Sequence, residues 1–158
     1  MAELPSFVLD TCAILAYLQD EQAATRVEEL LNDARLEKCR LFVSIMNLGE
    51  LLYITERRGG VTKAQDVLAL IQQLPIEVLP PDQQAVFAAA HIKANHAVSF
   101  ADSFAVAAAT EKKAAILTDD PEFKSVEEIV TVEWLGQRQS VFSRWPGNDE
   151  SDHIHLTQ

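Results

Sequence analysis

The amino-acid sequence predicts an α/β domain in which a parallel sheet is covered by helices on both faces. Five short apolar runs are typical of strands that are buried within such a sheet. Longer segments lie between them, and their apolar residues recur at helical spacing. Strands that alternate with helices in this way are joined by crossover connections, which favour parallel pairing.

The predicted elements alternate along most of the chain. The strands are predicted at residues 6–9, 41–44, 76–79, 114–118 and 128–132. The helices are predicted at residues 11–19, 22–37, 45–58, 61–74, 82–95 and 99–113. Gly59 and Gly60 are expected to end the third helix, since glycine readily adopts the backbone conformation found just past a helix end. Pro75 is expected to stop the fourth.

The length and composition fit one folded domain. The chain has 158 residues, of which 48% are hydrophobic, and this excludes a disordered chain. We expect residues 1–139 to form the domain and residues 140–158 to be a loosely ordered extension. No apolar run approaches the roughly 20 residues that a membrane span requires, and the first residues lack the pattern of a signal peptide. A cytoplasmic protein is therefore expected, with Cys12 and Cys39 reduced.

The chain is acidic, with 24 Asp and Glu residues, 13 Lys and Arg residues and a net charge of −11. Broad, sequence-independent binding of nucleic acid relies on basic surfaces, so the charge argues against that class. It permits a cation site, or a partner that supplies positive charge. Only local basic groups would attract a nucleic acid, and their simpler role is a solvated surface. These groups are Arg57, Arg58, Lys63, Lys112 and Lys113.

Acidic residues follow two of the predicted strands or lie early in the helices. They are Asp10, Glu50, Asp102, Asp119 and Asp120. In open α/β sheets, ligands bind beyond the carboxyl ends of the strands, so these side chains are candidates for a binding site. Helix capping is the simpler explanation for several of them. Asp10 and Asp120 each precede a predicted helix or turn, and Ser99 and Asp102 have the S-x-x-D spacing of a capping box.

Glu50 is the acidic residue that capping does not explain. Its helix is apolar on more than one face, with Met46, Leu51 and Ile54 around it, so we expect Glu50 to be largely buried. A buried carboxylate is costly unless it is paired. Arg57, two helical turns further on, is one candidate partner, and a metal ion is the other.

A carboxylate cluster at one end of a sheet repels itself, and Mg²⁺ or Mn²⁺ would relieve that repulsion. These hard ions prefer oxygen ligands, and they can activate water and stabilise charge on a phosphoryl group. The sequence has no Cys/His spacing that indicates zinc, no glycine-rich phosphate loop and no G-x-S-x-G elbow. The pattern therefore favours metal-dependent chemistry on a phosphate ester.

Four segments resemble, in order and spacing, the four motifs of PIN domains, and in particular the VapC-type toxins of toxin–antitoxin pairs. The segments are LDTCAILAYL, NLGELLY, SFADSFAVAAA and ILTDDPEF, and the resemblance covers roughly residues 5–133. It implies a three-layer α/β/α sandwich with a five-stranded parallel sheet. It also implies an Mg²⁺- or Mn²⁺-dependent endoribonuclease that cuts RNA, a homodimer and an antitoxin partner.

The resemblance assigns the acidic positions one by one. The first three are matched by Asp10, Glu50 and Asp102. The fourth motif usually reads Thr-x-Asp-x-x-Phe, which here is Thr118, Asp120 and Phe123. Asp119 stands in the variable place, so Asp120 is expected to be the fourth acidic residue.

The same resemblance implies how these residues would work. Asp10, Asp102 and Asp120 would hold the metal, and Glu50 would bind the metal or orient the attacking water. Thr118 would orient the site through a side-chain hydrogen bond. Thr11, which follows the first acidic residue, is a weaker supporting candidate.

Two other protein classes with acidic residues at parallel strand ends fit less well. A phospho-accepting receiver domain requires an acidic pair after its first strand and a lone Asp after its third. This chain has Asp10 alone after the first strand and two prolines after the third. A phosphatase of the haloacid-dehalogenase type would begin Asp-x-Asp, where this chain has Cys12 in the third place. A PIN-like protein that binds a metal or a partner without catalysis stays open.

Overall fold

A computed structural model of the chain describes residues 2–19 and 22–136. Within those ranges the strands are β1 (Ser6–Leu9), β2 (Arg40–Ser44), β3 (Glu77–Leu79), β4 (Ala115–Thr118) and β5 (Val132–Trp134). The helices are α1 (Thr11–Leu18), α2 (Ala24–Arg35), α3 (Ile45–Gln73), α4 (Gln83–Asn95) and α5 (Phe100–Lys112), and a 3-10 helix covers Pro121–Val126. All strand pairs are parallel, in the order β3-β2-β1-β4-β5.

Neighbouring residues of the central strands point to opposite faces of the sheet and enter two separate cores. Leu9 and Val43 pack on the side of α1, α2 and α3. Val8 and Phe42 pack on the side of α4, α5 and the 3-10 helix. Because both faces are covered, every residue of such a strand must be apolar, which explains the continuous apolar runs in the sequence. The predicted three-layer α/β/α sandwich with a five-stranded parallel sheet is confirmed.

The order of the strands changes direction at β1. From β1 the chain moves outward through β2 to β3, and later returns to the other side of β1 to add β4 and β5. The carboxyl ends of β1 and β4 therefore flank a topological switch point, which is where open α/β sheets bind ligands. Leu9 pairs with Leu117 in this register, so Asp10 and Thr118 lie side by side at that edge.

The sequence predicts a helix on each side of Gly59 and Gly60, and the structure agrees: α3 consists of two helical segments that meet at a kink. The helical residues run from Ile45 to Gln73, but Gly60 between the two segments is not helical, with φ of +85° and ψ of 172°. This backbone region is almost exclusive to glycine. Gly60 therefore ends the first helical segment, and the second segment begins directly after it.

The fifth strand begins later than predicted. Residues 128–132 were expected to form it, but the strand is Val132–Trp134. The N–H groups of Ile129 and Val130 both donate hydrogen bonds to the carbonyl of Val126, at 3.0 and 3.1 Å. These apolar residues thus belong to a turn that is closed by local hydrogen bonds, and they are not free to pair along a strand.

Several other expectations concern the chain as a whole. Cys12 and Cys39 are both buried and free. In the part of the chain that the structure describes, no helix has the length and hydropathy to cross a membrane. The predicted extension at residues 140–158 lies outside the described residues, so the domain boundary after residue 139 stays a prediction.

Gly60→Ala is expected to lower the free energy of unfolding by about 1–3 kcal/mol, because alanine rarely adopts the backbone angles of the kink. Gly49→Ala in the same helix is the matched control. An added Cβ at Gly49 meets no atom within 4 Å, and alanine is better than glycine in a helix by up to about 1 kcal/mol. Urea unfolding followed by circular dichroism measures both variants. Equal stabilities would show that the kink does not constrain residue 60.

Candidate metal centre

Three carboxylates meet at the carboxyl edge of the sheet. Asp102 lies in the first turn of α5, Asp120 follows β4, and Glu122 lies in the 3-10 helix. One carboxylate oxygen from each lies within 4.8 Å of the others. Asp102 and Asp120 are buried, and Glu122 is exposed. Sequence reasoning identified the first two as candidates and missed Glu122.

Asp10 lies beside this cluster and is held by two hydrogen bonds. Its Oδ1 accepts a bond of 2.8 Å from the Ala13 N–H, which caps α1, and its Oδ2 accepts one from the Thr118 hydroxyl. Burial raises the pKa of Asp10, the charge of Asp102 raises it further, and the Thr118 bond opposes both. The capping role expected for Asp10 is thus present, together with a place next to the cluster.

Thr118 connects two of the acidic residues that the resemblance singles out. Its hydroxyl donates to Asp10 and accepts a hydrogen bond of 3.0 Å from the Asp120 N–H. The Asp120 carboxylate in turn accepts a bond of 3.0 Å from the Glu122 N–H, which starts the 3-10 helix. Burial raises the pKa of Asp120, and the charge of Glu122 adds to the effect.

The predicted capping box at the start of α5 forms only in part. The Ser99 hydroxyl accepts a hydrogen bond from the Asp102 N–H, at 3.1 Å. The reciprocal bond from the Ser99 N–H goes to Glu122 Oε2, at 3.1 Å, instead of to Asp102. The Asp102 carboxylate accepts a bond of 3.2 Å from Asn47 Nδ2. Burial raises its pKa to about 7, and the charges of Glu50 and Asp120 contribute.

Glu50 is less buried than the sequence predicts. It is half-buried, because the first turns of α3 lie at the open edge of the sheet, where its neighbours Gly49 and Tyr53 are exposed. Burial raises the pKa of Glu50, a hydrogen bond with Thr11 lowers it, and the charges of Asp120 and Glu122 raise it again. Glu50 therefore faces the cluster without forming part of its close contacts.

Arg57, the alternative partner expected for Glu50, places its guanidinium carbon 5.1 Å from the centre of the Tyr53 ring. Asp119, the alternative to Asp120, is also buried. Only Asp120 belongs to the group of carboxylates within 4.8 Å of one another in the described residues.

Asn47 is a second residue that the sequence reasoning missed. Its side chain is fully buried, and Nδ2 donates to Asp102 Oδ1 at 3.2 Å and to Thr11 Oγ1 at 3.3 Å. The Thr11 hydroxyl donates to the Asn47 carbonyl at 3.1 Å. Among the described residues, Asn47 Oδ1 has no hydrogen-bond partner. A polar residue one helical turn before Glu50, in an otherwise apolar segment, was the available signal.

The comparison with protein families identifies the fold around these residues. The sequence model of the PIN domain matches residues 7–129. The chain belongs to the PIN domain family. No curated protein matches the chain.

Solved structures share this PIN fold at low sequence identity. The DNA-bound VapBC complex of Salmonella typhimurium has a TM-score of 0.66 and 21% identity, over 84% of this chain and 100% of that chain. VapBC2 from Rickettsia felis, bound to a promoter DNA fragment, has a TM-score of 0.63 and 17% identity, over 81% of this chain and 97% of that chain. VapC20 of Mycobacterium tuberculosis, described as a sarcin-ricin loop cleaving toxin, has a TM-score of 0.62 and 19% identity, over 76% of this chain and 94% of that chain. At these identities the likeness establishes the fold.

The acidic cluster of this PIN domain fits a divalent cation. Carboxylate oxygens are the ligands that Mg²⁺ and Mn²⁺ prefer, and opposite ligands of an ion with bonds of about 2.1 Å lie about 4.2 Å apart. The three oxygens already lie within 4.8 Å of one another, so small side-chain movements would bring them to one ion. The raised pKa values of Asp102 and Asp120 reflect burial and charge repulsion, which a cation would relieve.

Asp102→Asn is expected to stabilise the metal-free PIN domain at pH 8. Because the pKa of Asp102 is raised to about 7 when folded, its contribution to stability is complete below about pH 4 and is lost as the pH rises through 7. Each pKa unit corresponds to about 1.4 kcal/mol, or about 3–6 °C in the melting temperature of a domain of this size. In EDTA, the melting temperature should fall further between pH 5 and pH 8 for the wild type than for the variant.

Asp66→Asn, which changes an exposed carboxylate of α3, is the control for this pH experiment. Its melting curve should follow that of the wild type at both pH values. An Asp102→Asn variant that melts below the wild type at pH 8 would contradict the assignment of a repelled carboxylate.

Mn²⁺ is expected to raise the melting temperature of the wild type, since an ion that binds only the folded state stabilises it by about 2.7 kcal/mol at a hundred times its Kd. Asp102→Asn should abolish the increase. Glu122→Gln keeps an oxygen that can accept from the Ser99 N–H but removes the charge, and it should reduce the increase. A wild type that does not respond to millimolar Mn²⁺ would overturn the metal site.

Proposed function

We propose that this PIN domain is an Mg²⁺- or Mn²⁺-dependent endoribonuclease and the toxin of a VapBC-type toxin–antitoxin pair. The observation that carries the proposal is that two acidic residues of the close group and two that lie beside it come from four separate segments to the switch point of a PIN fold. These residues are Asp10, Glu50, Asp102 and Asp120. We assign all four to the metal site and include Glu50 as a residue that can also orient water.

The metal, when bound, would polarise the scissile phosphate and lower the pKa of a coordinated water. The chain's own residues would hold and orient the reacting groups. The hydrogen bonds of Thr118 to Asp10 and to the Asp120 N–H fix two carboxylates relative to each other. The Asn47 side chain holds the Asp102 carboxylate in place by donating a hydrogen bond to its Oδ1. Fixed orientation matters because small misplacements of reacting groups cost large factors in rate.

Glu50 is suited to accept a proton from the attacking water. It is half-buried at the open edge of the site, so solvent and substrate can reach it. Burial and the charges of Asp120 and Glu122 raise its pKa, which brings it closer to the neutral range where a general base works best. The product phosphate would leave through the same open edge.

The proposal extends to the partners and the setting of the protein. A homodimer and a cytoplasmic location are proposed from the resemblance to VapC-type toxins. An antitoxin with a basic segment would suit a chain of net charge −11. The VapBC complexes of Rickettsia felis and Salmonella typhimurium, which share the fold, are bound to DNA, and a Klebsiella pneumoniae structure that also shares it is a toxin–antitoxin complex.

Purified protein should cleave a mixed single-stranded RNA substrate in the presence of Mg²⁺ or Mn²⁺ and should not cleave it in EDTA. Asp10→Asn is expected to lose about a hundredfold or more in rate, because the several kcal/mol that a bound ion contributes to the transition state would be weakened. Gel analysis of end-labelled RNA measures the cut sites and their rates.

Asp82→Asn is the matched control for this variant. Asp82 caps α4 through the Ala85 N–H at 2.8 Å, as Asp10 caps α1 through the Ala13 N–H at the same distance. Both substitutions remove the charge of a capping carboxylate and keep an oxygen that can accept the cap bond, but only Asp10→Asn changes the proposed site. Full metal-dependent cleavage by Asp10→Asn would refute the nuclease assignment. An intact Mn²⁺ response without any cleavage of RNA would favour a PIN protein that binds a metal or a partner only.

A further inference from the structure

Tyr53 and Arg57 lie on the same stripe of α3 as Glu50. Residues three and four apart on a helix are neighbours, so Glu50, Tyr53 and Arg57 follow one another along one face. The Tyr53 side chain is 49% exposed, so one part of it is open to solvent. The Arg57 guanidinium carbon lies 5.1 Å from the centre of the Tyr53 ring. The pair is an exposed aromatic ring with a cation against it.

The pair lies within the electric field of the acidic residues. Burial raises the pKa of the Tyr53 hydroxyl, the charge of Glu50 raises it further, Arg57 opposes this, and Asp102 adds a smaller increase. The phenol is therefore a neutral hydrogen-bond donor at the rim of the carboxylates. Arg57 supplies a positive charge at a rim that is otherwise strongly negative.

Two of the other basic candidates from the sequence, Lys112 and Lys113, lie further from this rim. Lys112 is the last residue of α5 and Lys113 directly follows it, whereas Asp102 lies in the first turn. A helix of thirteen residues is about 20 Å long. These two lysines therefore lie near the amino edge of the sheet, at the opposite end from the carboxylates. A nucleic acid at the acidic edge would meet Arg57 before it met either lysine.

We propose that Tyr53 and Arg57 form a nucleotide subsite, in which the Tyr53 ring stacks on a base of single-stranded RNA and Arg57 contacts a phosphate next to that base. The inference rests on the proposed ribonuclease function and adds a determinant of which nucleotide flanks the cut. Stacking on aromatic side chains is the usual way in which proteins hold unpaired bases. An arginine can stack and bind phosphate at the same time, which a lysine cannot do.

A surface that pairs a flat apolar face with a cation suits a nucleotide better than it suits an apolar protein partner. The neighbouring Glu50 and Asp102 would repel an acidic partner, but a bound divalent ion would offset that repulsion for a phosphodiester at the site. The stack also explains how RNA could bind a protein of net charge −11. Local stacking is insensitive to the overall charge, whereas steering by the whole surface is not.

The test compares variants at these two positions on a pool of single-stranded RNA of random sequence. The variants are Tyr53→Phe, Tyr53→Leu, Arg57→Lys and Arg57→Gln, with Arg35→Gln as the control. Arg35 is an exposed residue at the last turn of α2, just before the amino end of β2, and so lies away from the site. Sequencing of the Mn²⁺-dependent products gives the nucleotide preference around the cut, and an oligonucleotide that is cut well gives kcat and KM.

Tyr53→Leu is expected to raise KM by about 5- to 150-fold, the range that corresponds to the loss of one stacked base, with kcat changed much less. It should also flatten the nucleotide preference at one position beside the cut. Tyr53→Phe should retain both. Arg57→Gln should raise KM most at low salt, because it removes a phosphate contact, Arg57→Lys should recover only part of the loss, and Arg35→Gln should resemble the wild type.

A substrate with an abasic nucleotide at the flattened position separates stacking from a structural effect. The wild type should lose affinity for this substrate, and Tyr53→Leu should lose nothing further. Equal losses by Tyr53→Leu on intact and abasic RNA would overturn the subsite. So would a KM unchanged in Tyr53→Leu, or a loss of activity that follows dissociation of an oligomer in light scattering.

A measurement of RNA binding tests the subsite separately from the nuclease assignment. If the wild type cuts no RNA with Mn²⁺, the proposed function fails, and fluorescence anisotropy with a labelled single-stranded RNA in Mn²⁺ still measures the subsite. Weaker binding by Tyr53→Leu than by Tyr53→Phe would support the stack in a protein that binds RNA without cutting it. Equal binding by the two variants, or none by the wild type, would overturn it.

Discussion

Several carboxylates held close together inside a protein repel one another, and burial removes the water that would stabilise each negative charge. The acidic edge of this PIN domain depends on how that cost is met. The fold supplies hydrogen-bond donors to the individual oxygens, from the Thr118 hydroxyl, the Asn47 amide and the N–H groups of Ala13 and Glu122. These bonds fix the carboxylates but do not neutralise them, as the raised pKa of Asp102 indicates. The remaining repulsion is what a divalent cation would relieve.

Helix capping and metal binding are not alternatives at this edge. Parallel strands and the helices that follow them bring helix N-termini to the carboxyl edge of the sheet, where free N–H groups need acceptors. Asp10 and Asp120 accept from such groups with one oxygen each, at 2.8 and 3.0 Å. At the start of α5, capping falls to a different residue, since the Ser99 N–H donates to Glu122 and not to Asp102. The caps thus position the carboxylates and leave oxygens that face the cluster.

Most of the fold could be predicted from the sequence because the local patterns agree with one another. Continuous apolar runs are required in strands that are covered on both faces, and four of the five predicted strands match the structure closely. The fifth was misplaced because Ile129 and Val130 have the composition of a strand, while the carbonyl of Val126 holds them in a turn. Gly60 was a correct signal of a break, and the helical segments on both sides of it pack into the same core.

The acidic residues of the site were visible in the sequence, and the contacts between them were not. Glu122 joins the cluster because the 3-10 helix folds back on the start of α5, a contact across 23 residues that no local pattern encodes. Asn47 bridges Thr11 and Asp102 across 36 and 55 residues. The burial of Glu50 was overestimated because apolar neighbours along a helix do not reveal which of its faces lies at an open edge.

The overall acidity of the chain is consistent with this arrangement if RNA is recognised locally. A net charge of −11 gives no long-range attraction for a polyanion, so binding must come from contacts that form only at the site. A divalent ion between the carboxylates and the phosphate, and a base stacked beside Arg57, are contacts of that kind. Neither compensates for the charge elsewhere on the surface, so RNA that cannot present an unpaired base at the acidic edge gains little from binding. In the proposed nuclease, the acidity would select against other RNA, and it would leave the same surface attractive to a basic protein partner.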